Sequence, residues 1–78
     1  MEKELIEKYA QELRDAVNNE IYVGSVSTPE LLLQAKMSAL DTVLPGLKHI
    51  HDLPEDDRAT VVELAKEILR LETQSGTY

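Results

Sequence analysis

The sequence predicts an all-α protein: a small bundle of three main helices, with a break or kink near Pro45, associating as a homodimer. Three observations predict it. Apolar residues recur at helical spacing in three long segments. Proline and glycine mark the boundaries between those segments. The apolar residues are almost all aliphatic, since the 78 residues include three tyrosines and no Phe or Trp.

The first helix is expected over about residues 2–22. Leu5, Tyr9, Leu13, Val17 and Ile21 recur every four residues, and Ile6, Ala10 and Ala16 widen the stripe. Glu4 and Lys8 stand at the i,i+4 spacing of a favourable ion pair. Asn18 and Asn19 weaken helix propensity, and Gly24 offers a stop. "GSVST" then reads as a linker. The second helix is expected over 28–44, with Thr28 as cap, Pro29 in the first turn and Glu30 at the positive end of the dipole. Leu32, Ala35, Ala39, Val43 and Leu47 share one face, with Leu33, Met37, Leu40 and Leu44 beside them. That arc is wider than the ~100° stripe of an ordinary surface helix. Pro45-Gly46 interrupts the helix, and a short helical turn follows over 46–51. The last helix is expected over 54–72. Val61, Val62, Leu64, Ala65, Ile68, Leu69 and Leu71 again cover about half a turn, and residues 73–78 are expected to fray.

A chain of 78 residues makes one small domain with a modest core. It has no cysteine for a disulfide or a thiolate metal site. Its start, "MEKELIEKYA", lacks the apolar run of a signal peptide. Its longest aliphatic block, Leu31-Leu32-Leu33, is too short to cross a bilayer. A cytoplasmic location and no membrane partner are therefore expected. The net charge of −7 is carried mostly by the two outer helices. With no basic stripe, direct nucleic-acid binding is not expected.

"LKHIHDLPEDDRA" concentrates the residues that resemble chemistry. On a helix, His49 and His51 point about 200° apart and cannot share a metal. An extended backbone would align them, with Asp52, Glu55, Asp56 or Asp57 supplying oxygens. The acids have a simpler explanation: they fill the first turn after Pro54, where the dipole favours them. Ser25, Ser27, Ser38 and Ser75 have no nucleophile elbow around them. The glycines at 24, 46 and 76 form no phosphate loop. No catalytic residue, metal or cofactor is expected, and the chain is read as a non-enzyme.

The wide apolar arcs are the functional lead. Two such helices in a lone bundle would leave one side uncovered, unless the kinked second helix covers both neighbours in a compact monomer; a large exposed apolar patch marks an interface. The expected interface residues are Leu33, Met37, Leu40 and Leu44 of the second helix, with Leu64, Ile68 and Leu71 of the last. The expected role is to bind another protein as an adaptor, chaperone or inhibitor, and to bind a second copy. Two alternatives stand beside it. One is an acidic decoy, of a phage or bacterial kind, occupying the nucleic-acid groove of another protein. The other is a dimeric transcriptional regulator. "LPEDDRATVVELAKEILRLE" resembles the closing, dimerising helix of small phage and plasmid helix-turn-helix regulators, although no helix-turn-helix precedes it.

Overall fold

The computed structural model describes residues 1–21 and 28–74. The expected stop at Gly24, most of the "GSVST" linker and the last four residues of the tail lie outside these. The described residues form four α-helices and one 3₁₀ turn, with no strand. None of these helices is long and apolar enough to cross a membrane.

Helix α1 spans Lys3–Glu20. It ends slightly before the expected boundary, just after Asn18-Asn19, two residues of poor helix propensity. Ile21 is already extended, at φ −93° and ψ 127°. The buried face is Ala10, Leu13 and Val17, with Ile6 and Tyr9 packed against it, so its centre is displaced from the Leu5–Tyr9 row toward Ala10. Glu4 and Lys8 do not come within ion-pair distance. The α1 ion pairs run from Arg14 to Asp15 and Glu72, and from Glu12 to His49.

Helix α2 spans Pro29–Val43. Thr28 caps it as expected: its Oγ1 accepts from the Leu31 N–H at 3.2 Å. Pro45 has no N–H to continue the ladder, and the chain tightens into a 3₁₀ turn at Leu44–Gly46. Leu47, at φ −101° and ψ 73°, redirects it into α3, a single turn at Lys48–His51. A Cβ on Gly46 would meet open space. The break therefore belongs to the proline, and glycine is not sterically required there. Helix α4, Glu55–Gln74, follows with the Pro54 carbonyl accepting from the Arg58 N–H at 2.9 Å.

The three long helices pack against one another, α1 most extensively against α4. Their shared core is Ala10, Leu13 and Val17, Ala39 and Leu40, Ile50, and Val61, Ala65 and Leu69. An alanine on each long helix lets the axes approach closely. Helix α2 touches both α1 and α4, which takes up the centre of its wide arc and leaves Leu33, Met37 and Leu44 half-buried at its edge. Among the described residues only Met1, Leu31 and Leu71 are large, apolar and exposed.

The expected fraying is also corrected at its start. Thr73 is buried and helical. It continues the four-residue row Val61, Ala65, Leu69, which carries α4 one position further along the core.

Candidate functional site

The joint between α2 and α4 is helical where it matters. With Lys48–His51 in an α-turn, the two histidines find different surroundings. His49 turns to α1: its Nε2 pairs with Glu12, and its ring meets the Tyr9 ring edge-on, with centroids 5.2 Å apart and an interplanar angle of 71°. His51 lies on the outside, its Nδ1 3.4 Å from Asp52, while its backbone carbonyl accepts from the Arg58 guanidinium at 3.1 Å. Ile50 between them is fully buried. Among the described residues no three His, Asp or Glu side chains come together as a metal set would require.

Glu55, Asp56 and Asp57 occupy the first turn of α4. Asp57 has a further role that sequence periodicity could not reveal. Its carboxylate lies 3.6 Å from the amino group of Met1, which ties the start of α1 to the start of α4.

The least expected feature is Lys36, which is 4% exposed on α2. Its Nζ donates to Thr73 Oγ1 at 3.4 Å, and Thr73 Oγ1 donates to the Leu69 carbonyl at 2.7 Å. One hydroxyl thus accepts from an ammonium and satisfies a carbonyl of the last turn of α4. The sequence did hold a signal: Lys36 stands four residues after Leu32 and four before Leu40, inside the apolar arc. On the α1–α4 side, Glu72 forms an ion pair with Arg14, 3.3 Å from its Nε, and accepts from Asn18 Nδ2 at 3.5 Å.

The seven expected interface residues do not form one surface. Leu40 is fully buried in the chain's own core, which corrects its assignment to an interface. It stands four residues from Lys36, on the side of α2 turned toward the other long helices. Met37 and Leu44 are half-buried and packed against that core; Leu33 is half-buried at the edge of α2. Leu64 and Ile68 are half-buried, and Leu71 is 59% exposed. At i, i+4 and i+7 these last three share one face of α4. Leu64 and Ile68 form the floor of an open groove of about 450 Å³, walled on α1 by Glu4, Glu7, Lys8 and Gln11. Sequence periodicity found the α4 ridge; it could not show that α1 supplies the polar wall opposite.

No family model, curated protein or solved structure matches this chain.

Proposed function

We propose that this protein is a non-enzymatic helical module that binds another protein through apolar side chains left at the surface of its helices. One observation carries the reading: Leu64 and Ile68 floor the open α1–α4 groove, and Leu71, on the same face of α4 one turn on, is an exposed leucine. An apolar row at this spacing is what a helix-in-groove contact uses. The half-buried α2 edge, Leu33, Met37 and Leu44, is a second surface of the same kind. Association with a second copy into a symmetric dimer is the simplest form such binding takes.

A photo-crosslinking side chain placed at Leu71 and, as a control, at exposed Gln34 tests the reading in an extract of the source cell. A discrete partner should cross-link from position 71 and not from position 34. Equal labelling from both positions, or none from either, would remove the reading. The net charge of −7 favours a second reading, an acidic decoy for a basic nucleic-acid-binding surface. In that case partner binding should weaken steeply with added salt over the whole acidic surface, because exposed charges are screened within about 10 Å at 0.1 M salt.

A further inference from the structure

We draw no further inference here: the strongest candidate, the open groove between α1 and α4 floored by Leu64 and Ile68, carries nothing beyond the reading above, because Lys3 and Lys8 balance the Glu4 and Glu7 carboxylates on α1 and nothing in the structure shows what covers it.

Discussion

Lys36 shows how one residue ties two helices together. It is the only buried charged side chain among the described residues, and its ammonium reaches the Thr73 hydroxyl. Thr73→Val keeps the shape of the side chain and removes that oxygen. Urea unfolding should report a loss of about 0.5–1.5 kcal/mol, the net worth of a typical hydrogen bond. Adding Lys36→Met should restore part of the loss, because removing both polar groups is milder than removing one. Leu40 makes a second point at this scale. Since it is fully buried in the chain's own core, Leu40→Glu should unfold the protein, not merely dissociate it. A buried carboxylate without a partner costs several kcal/mol, a large share of the ~5–15 kcal/mol that hold a typical domain together. Circular dichroism that retained a cooperative helical melt in Leu40→Glu would contradict this placement. The seven apolar candidates were legible as apolar and helical. Their division into core, edge and surface was not, because periodicity gives a direction around a helix but not what stands in that direction.

At the scale of elements, local chemistry sets the boundaries well. Thr28 and Pro29 start α2, and Pro45 ends it. Thr28→Ala should cost about 1 kcal/mol by orphaning the Leu31 N–H, read as a lower melting temperature. For a domain of this size that amounts to about 4–8 °C. Gly46→Ala should do the opposite. The site has room for a Cβ, and its backbone is not left-handed, so the substitution restricts only the unfolded chain. A gain of about 0.4–1 kcal/mol is expected; a loss would show that the turn uses the glycine after all. The end of α4 was misjudged from sequence because Thr73 and Gln74 are polar, and polar residues at the end of a helix read as fraying. Burial against α2 overrides that local preference.

The whole molecule is elongated, 37 × 22 × 15 Å, because α4 alone, at 20 residues, is about 30 Å long. Its radius of gyration of 12.4 Å is close to the roughly 11–12 Å of a compact chain of this length. The apolar surface left over is therefore small, and the ridge ending at Leu71 is its clearest part. Leu71→Glu should leave the thermal melt nearly unchanged, since the side chain is mostly exposed, and should abolish sedimentation changes that depend on the ridge. Sedimentation unaltered by Leu71→Glu in a self-associating protein would move the contact to the α2 edge. The sequence by itself determined the helical class, the break at Pro45 and the capped start of α2. Each depends on interactions within a few residues: propensity, capping, a missing N–H, and the helical pitch. Only the tertiary structure decided that α2 packs against both α1 and α4, that Leu40 is core, that Lys36 and Thr73 meet across 37 positions, and that α1 lends acids to the groove over Leu64 and Ile68. Those depend on which helix faces which, and the pairing is set by the joint filling of one core, not by any single segment.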